Sequence, residues 1–507
     1  MNDTEPPVEV IIPATGEVKA APPHVLIVFG ASGDLTTRKL LPAIAGLSDH
    51  GGLPDQFVVV GVARTQWTDD EFRKAAIEAV PDPSDRWRAM AGRFRYVAGE
   101  YASKETFDRL KQILEEVDRT AGTSGNRVYY LATVPEMFGE IATALAEHGC
   151  TKPADDSSFV RLVVEKPYGH DLASATALDA ALHAALDESQ IYRIDHYMGK
   201  ETVQNVLALR FANAIFEPVW NRRYVDQVQI TVAESLGVEH RGGFYEHAGA
   251  LRDIVQNHVM QVLALTLMEP PAKVDAGGIR DEKVKLLRAV EVPSVDSAAG
   301  SAVRGQYVAG VIDGTDVPAY RHEQDVASDS QTETYVAMQL AVDNWRWAGV
   351  PVYVRTGKRL AKRVTEVALQ FKRVPHLAFG GKLGRDLHPN TLVLRIQPDD
   401  GISILFGAKV PGETFQLRTV SMDFSYATAF PGEQGGGYER LLHDAMIGDP
   451  TLFIRTDEVE QAWEIVDPFL QSWRDGNVPL SRYAAGSWGP HEAELLLGRD
   501  GNQWRTP

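Results

Sequence analysis

A single cysteine, Cys150, stands in 507 residues, which rules out an intramolecular disulfide and suits a reducing compartment. Nothing near it in sequence would activate the thiol, so Cys150 reads as a half-buried residue at a helix end. No apolar run approaches the length of a membrane span. Residues 1–23 hold five prolines and several acids but neither a basic start nor an apolar stretch, the marks of a flexible tail and not of a secretion signal. A cytoplasmic protein without a membrane partner is expected. Basic residues are also in deficit: a formal charge of −18 argues against nucleic acid, whose phosphates need a positive surface. Paired cysteines, HExxH and a Walker A lysine loop are all missing, so no metal is expected. The scattered His240 and His247 read as surface or supporting residues.

What is present is ordinary globular composition, 44 % hydrophobic and 24 % charged, in a chain too long for one core. From residue 24 to 204 short apolar runs near Val25, Phe57, Val128, Val160 and Ile191 alternate with helical segments near Lys39, Glu71, Lys104 and Glu136. That rhythm predicts an α/β, Rossmann-like doubly wound domain with a parallel sheet. From 205 to 507 strand patterns crowd together at Val225–Ala233, 337–342, 352–356, 367–371, Thr391–Gln397 and 402–406. They predict an α+β domain on a large, mainly antiparallel sheet with helices on one face. Gln397-Pro398-Asp399-Asp400-Gly401 has the chemistry of a hairpin loop between two of these strands.

Three stretches carry chemistry. The run Val25–Phe29 ends in Gly30-Ala31-Ser32-Gly33-Asp34-Leu35 and a helical segment, the strand, glycine turn and helix of a dinucleotide site. Gly30 would make the tight turn and Gly33 would let the backbone approach a pyrophosphate. The spacing is GxxGxL, a weak match to GxGxxG. After the second strand, Arg64-Thr65 stands where an NAD enzyme places an acid for the ribose hydroxyl; a guanidinium favours the 2′-phosphate of NADP.

The most informative stretch is RIDHYMGKE, Arg193 to Glu201. An acid, an imidazole, a phenol and an ammonium crowd one turn glycine, and Gly199 and Lys200 open a predicted helix, Glu201–Phe211, whose free N–H groups and dipole attract phosphate. Further on, residues 243–268 read as one long helix carrying Asp253, Asn257 and His258. His196 and His258 both qualify as a general base near neutral pH, with a carboxylate behind to orient the ring, and spacing does not choose between them.

With these motifs go Glu165-Lys166-Pro167-Tyr168-Gly169, Gly242-Gly243-Phe244-Tyr245, Arg252-Asp253-Ile254-Val255-Gln256-Asn257-His258, Arg355-Thr356-Gly357-Lys358, Tyr438-Glu439-Arg440-Leu441 and Gly486-Ser487-Trp488-Gly489-Pro490. On these blocks, in this order, the chain resembles the glucose-6-phosphate dehydrogenase family along nearly its whole length after residue 24. It departs mildly, with Met198 and Tyr168 where the family commonly has Leu and Phe. The resemblance implies an NADP-dependent oxidoreductase for glucose 6-phosphate, acting at carbon 1 as the first step of the oxidative pentose phosphate pathway.

It further implies His258 as general base oriented by Asp195, and a phosphate grip of His196, Tyr197 and Lys200. Glu234 and Asp253 would hydrogen-bond sugar hydroxyls, Lys166 would touch sugar and cofactor, and Lys358 and Arg363 would close the site. The cofactor would meet Gly30 to Leu35, Arg64 and Thr65, with Tyr130, Thr133 and Val134 bordering its nicotinamide half. A cis Pro167 and a homodimer or homotetramer formed through the large sheet are also implied. Two rivals stand beside this reading: a catalytically silent regulatory or assembly relative, which intact motifs disfavour, and a dehydrogenase for another hexose phosphate.

Overall fold

The structure is a computed structural model that describes residues 19–376, 387–412, 415–430 and 436–507. Residues 1–18 of the expected tail lie outside it. The expectation fails for the remainder of that segment, because Ala21 is buried and donates its N–H to Gly52 (2.9 Å), while His443 Nε2 contacts the Lys19 carbonyl (2.7 Å). Residues 19–23 are anchored to the domain that follows.

That domain is a six-stranded parallel sheet of β1 (Val25–Phe29), β2 (Val58–Ala63), β3 (Arg95–Ala98), β4 (Arg127–Leu131), β5 (Val160–Val164) and β6 (Ile191–Arg193), ordered β3-β2-β1-β4-β5-β6. Every residue of β1, β2 and β4 is buried, which is why these strands read as unbroken apolar runs with helices over both faces. Strand order reverses at β1, and GASGDL sits at its carboxyl end, the place where open α/β sheets bind ligands.

The rest of the chain builds a nine-stranded sheet. Its strands are β7 (Val225–Ala233), β8 (Ala302–Val308), β11 (Tyr335–Leu340), β12 (Val352–Gly357), β13 (Val364–Phe371), β14 (Thr391–Gln397), β15 (Gly401–Lys409), β16 (Leu417–Ser425) and β17 (Leu480–Ala484); a small hairpin, β9 (Gly310–Ile312) with β10 (Thr315–Val317), stands apart. Order is β16-β15-β14-β13-β7-β12-β11-β8-β17, antiparallel except for β7 with β12 and β8 with β17. The loop 397–401 joins β14 to β15 as a hairpin, and Lys166-Pro167 and Gln397-Pro398 are cis.

Helices do not keep to one face of this sheet, as the sequence pattern suggested. Val336 and Met338 face the main core, while Tyr335 and Ala337 face a second cluster with Tyr353 and Tyr483, covered by the helix His491–Gly498 and Trp504. This second face carries too many aromatic side chains to be left in water. Toward β16 the cover ends, and Met422 and Phe424 are exposed. Among the described residues no helix is long and apolar enough to cross a membrane.

The expected long helix over 243–268 is broken. Gly249 has φ +67°, and a Cβ there would lie 2.3 Å from the buried Glu333 carboxylate, which accepts the Leu251 N–H (3.1 Å). The chain restarts as a π-helix, Leu251–Val259, and becomes α-helical at Met260–Leu267. A π turn closes its backbone hydrogen bonds from residue i to i+5, so side-chain spacing over 251–259 departs from that of an α-helix.

Candidate active site

Asp195, just past the end of β6, meets His258 on the π-helix: Oδ1 lies 2.5 Å from Nδ1, and both residues are 1 % exposed. Burial by itself would raise the Asp195 pKa, but the His258 ring and the Tyr197 N–H (2.9 Å to Oδ1) outweigh it and hold the carboxyl well below its usual range. Burial lowers the His258 pKa below 6.5 against the opposing pull of Asp195, so the ring is neutral near pH 7. With Nδ1–H given to Asp195, Nε2 is left as the basic nitrogen.

His196 and Tyr197 flank that imidazole. Their rings lie 4.5 Å and 4.3 Å from it, the first edge-on and the second stacked. Burial, then the neighbouring His258, drives the His196 pKa well below 6.5. The Asp195 carboxylate bonds the His258 ring and not that of His196.

Lys200 is the N-cap of the helix Glu201–Phe211, and its ammonium sits 4.0 Å over the Tyr197 ring. It donates to Gln397 Oε1 (2.7 Å), which Arg363 approaches at 3.5 Å; Gln397 Nε2 in turn donates to Thr365 Oγ1 (2.9 Å), 3.4 Å from the Tyr197 hydroxyl. Gln397 thus ties together the two cations expected at a phosphate. Sequence reading missed it and Thr365, because β13 and β14 bring them in from far along the chain.

On the other side of His258, Lys166 Nζ pairs with Asp253 (3.1 Å to Oδ1, 2.9 Å to its carbonyl), and Lys358 pairs with Glu234 (2.7 Å). Burial opposes ionisation of Asp253, yet Lys166 and Lys358 keep its carboxyl below the ordinary range. Three carboxylates, three lysines and two imidazoles are therefore brought together from both parts of the chain, a set suited to a polyhydroxylated anion.

At the cofactor turn, Gly30 has φ +88° and a Cβ there would lie 2.3 Å from the Ala132 carbonyl, so only glycine fits. Ala31 is buried, Gly33 donates to Gly30 (2.9 Å), and the Ser32 and Thr65 hydroxyls touch at 2.8 Å. Asp34 pairs with Arg38 (2.6 Å), four residues on, and Leu35 caps the π-helical start of the following helix. Arg64 is exposed, 5.9 Å over the Tyr101 ring, and among the described residues no carboxylate pairs with it. The guanidinium thus stands at the end of β2 beside Tyr101 and without a carboxylate partner among the described residues. Thr133 lies against the Gly30 turn, and Val134 is exposed.

Tyr130 does not fit its expected place. It is fully buried and donates to Glu165 Oε1 (2.5 Å), the carboxylate beside Lys166, on a strand that is buried along its whole length.

Family models match the whole arrangement: the glucose-6-phosphate dehydrogenase NAD binding domain over residues 27–205 and the C-terminal domain over 207–505. The chain is 45 % identical over 495 residues to glucose-6-phosphate 1-dehydrogenase 2 of Mycobacterium tuberculosis, covering 96 % of each. It is 44 % identical over 485 residues to the Bacillus subtilis glucose-6-phosphate 1-dehydrogenase, covering 95 % of this chain and 98 % of that one. A solved glucose-6-phosphate dehydrogenase in complex with its substrate glucose-6-phosphate aligns with a TM-score of 0.87 at 34 % identity, over 96 % of this chain and 99 % of the other. The Mycobacterium avium glucose-6-phosphate 1-dehydrogenase aligns at 0.81 and 36 %, with the same coverage.

Proposed function

The chain belongs to the glucose-6-phosphate dehydrogenase family and oxidises glucose 6-phosphate, and we propose that His258, oriented by Asp195, is the general base of that reaction, with NADP as hydride acceptor. The observation that carries this reading is the buried 2.5 Å contact between Asp195 and His258 beside a cluster of cations. When bound, NADP supplies the nicotinamide carbon that takes the hydride from carbon 1. His258 Nε2 removes the proton of the carbon 1 hydroxyl, and the Asp195 carboxylate stabilises the imidazolium that results. The product is the 6-phosphogluconolactone.

His196, Tyr197 and Lys200 hold the 6-phosphate at the helix start, with Arg363 and Gln397 across from them. Glu234 and Asp253 accept sugar hydroxyls, each kept in place by a lysine, Lys358 and Lys166. The cofactor half of the site belongs to residues 24–204, whereas the sugar half draws on both parts of the chain: Lys166, Asp195, His196, Tyr197 and Lys200 come from 24–204, and Glu234, Asp253, His258, Lys358 and Arg363 from 205–507. The uncovered apolar side chains near β16 suit a homodimer or homotetramer formed through the large sheet.

Replacing Lys200 with Gln removes a charge-assisted phosphate contact worth about 1.5–3 kcal/mol, so the KM for glucose 6-phosphate should rise roughly 10- to 100-fold with a smaller change in kcat. Burial lowers the Lys200 pKa to about 8, so in the unaltered enzyme that KM should also climb above pH 8, where the ammonium is lost. A flat KM in the variant would remove Lys200 from the grip. Arg64→Ala should raise the KM for NADP far more than that for NAD; equal effects would show that Arg64 does not read the 2′-phosphate. An absorbance assay of reduced nicotinamide with glucose 6-phosphate, galactose 6-phosphate and glucose tests the activity itself. Reduction with glucose 6-phosphate far above the other two is expected; none with any sugar would mean a silent relative.

A further inference from the structure

The two members of the catalytic pair come from different halves of the molecule. Asp195 follows β6 of the parallel sheet, and His258 sits on the π-helix packed against the large sheet. A short, directional contact between them requires the two elements to keep their separation to a fraction of an ångström.

A second route joins the same elements away from the cleft. Arg193, the last residue of β6 and two before Asp195, is fully buried. Its Nη1 reaches Glu188 (2.9 Å), its Nη2 reaches Asp179 (2.7 Å), and Nη2 also donates to Thr456 Oγ1 (2.6 Å). The Arg193 carbonyl accepts the Ile454 N–H (3.0 Å). Thr456 opens the helix Thr456–Arg474.

Two residues into that helix, Glu458 lies 2.7 Å from Lys283 Nζ, both side chains wholly buried, and Lys283 donates to Gln261 Oε1 (2.8 Å). Gln261 is three residues beyond His258 on the same helical run. Further along, Trp463 Nε1 donates to the Tyr168 carbonyl (2.8 Å), and Asp467 accepts the Leu172 N–H (3.0 Å), which ties the helix to the loop carrying Lys166. A buried ion pair adds little net stability over an apolar pair of the same size, because desolvation offsets its attraction. What it supplies is a fixed anchor for Lys283, whose hydrogen bond to Gln261, with that of Arg193 to Thr456, opposes the sliding that apolar packing tolerates.

We propose that the first turn of the helix Thr456–Arg474 is a splint between β6 and the His258 helix, with Thr456 and the Glu458–Lys283 pair as positioning residues for the Asp195–His258 contact. None of them touches sugar or cofactor. The splint rests on the reading of His258 as base.

Its test uses full-length Thr456→Val, which deletes the shared hydroxyl without stranding a charge, and the neutral pair Lys283→Met with Glu458→Gln. The charged or titratable groups around His258 are Asp195, Lys166, Asp253, His196 and the stacked Tyr197; of these Asp195 draws its pKa up most. Lengthening that one contact should lower kcat about 10- to 100-fold, leave the KM for glucose 6-phosphate nearly unchanged, and move the acid limb of kcat/KM to lower pH. Asp195→Asn is run beside them. A limb that moves in Asp195→Asn but stays put in both splint variants overturns the splint alone, as does activity lost only in proportion to folded protein, or no folded protein from either variant. A limb unmoved in Asp195→Asn overturns the base assignment and the splint with it.

Discussion

His258→Asn is expected to lower kcat by about 10² to 10⁴, the usual contribution of a positioned base, while the KM for glucose 6-phosphate changes little. The asymmetry follows from the geometry. In the proposed phosphate grip the contacts of Lys200 and Arg363 with Gln397 do not involve His258, and His196 and Tyr197 meet its ring only by packing, which an asparagine side chain leaves largely in place. Asn retains a polar group that can donate to Asp195, so the buried carboxylate is not stranded, and the loss should report missing basicity and not collapse of the site. In the unaltered enzyme kcat/KM should fall on the acid side with a midpoint below 6.5, because burial lowers the His258 pKa and its protonated form cannot accept the carbon 1 proton. That limb should vanish in the variant. Turnover near normal in His258→Asn would remove it from the reaction.

The second large effect is expected at Asp195. Its Oδ1 accepts from both the His258 ring and the Tyr197 N–H, whereas Oδ2 is buried with no partner among the described residues. An asparagine can keep both contacts through its amide oxygen and place its NH₂ where Oδ2 was. Asp195→Asn therefore removes charge more than orientation. Without that charge the imidazolium loses its stabilising partner, and kcat should fall by about 10² to 10³. The sign of the pH effect is fixed: Asp195 raises the His258 pKa, so its neutralisation lowers that pKa and moves the acid limb to lower pH. An upward move would contradict the proposed coupling.

Local pattern sufficed for much of this architecture. Val225–Ala233, Thr391–Gln397 and Glu201–Phe211 form where their patterns place them, because a β-branched run, or a helix-forming stretch without glycine or proline, carries its own signal. β3 escaped because only Tyr96 and Val97 of its four residues are buried, and β16 because it lies exposed at the sheet edge. The π-helix had no local signature either. One extra residue in a turn leaves composition unchanged, and the break that precedes it, at Gly249, lies against Glu333, far away in sequence.

The site divides the same way. GASGDL and RIDHYMGKE concentrate their chemistry within a few residues, so periodicity alone put them at a strand end and a helix start. Spacing left His196 and His258 tied as candidates; the decision required knowing which ring Asp195 meets, a contact spanning 63 positions. Gln397 stood in full view within a hairpin loop motif, but its reach to Lys200 depends on the order of strands in the sheet. Tyr130 was misplaced for the opposite reason, since its chain position beside the crevice says nothing about which way a fully buried strand turns its side chain.

The most direct test is a double-mutant cycle on kcat with glucose 6-phosphate and NADP. If Asp195 acts only through the imidazole it touches, His258→Asn combined with Asp195→Asn should be no slower than His258→Asn alone. A double variant slowed by the product of the two single losses would mean that the two residues work independently, and the pairing at the centre of this account would be wrong.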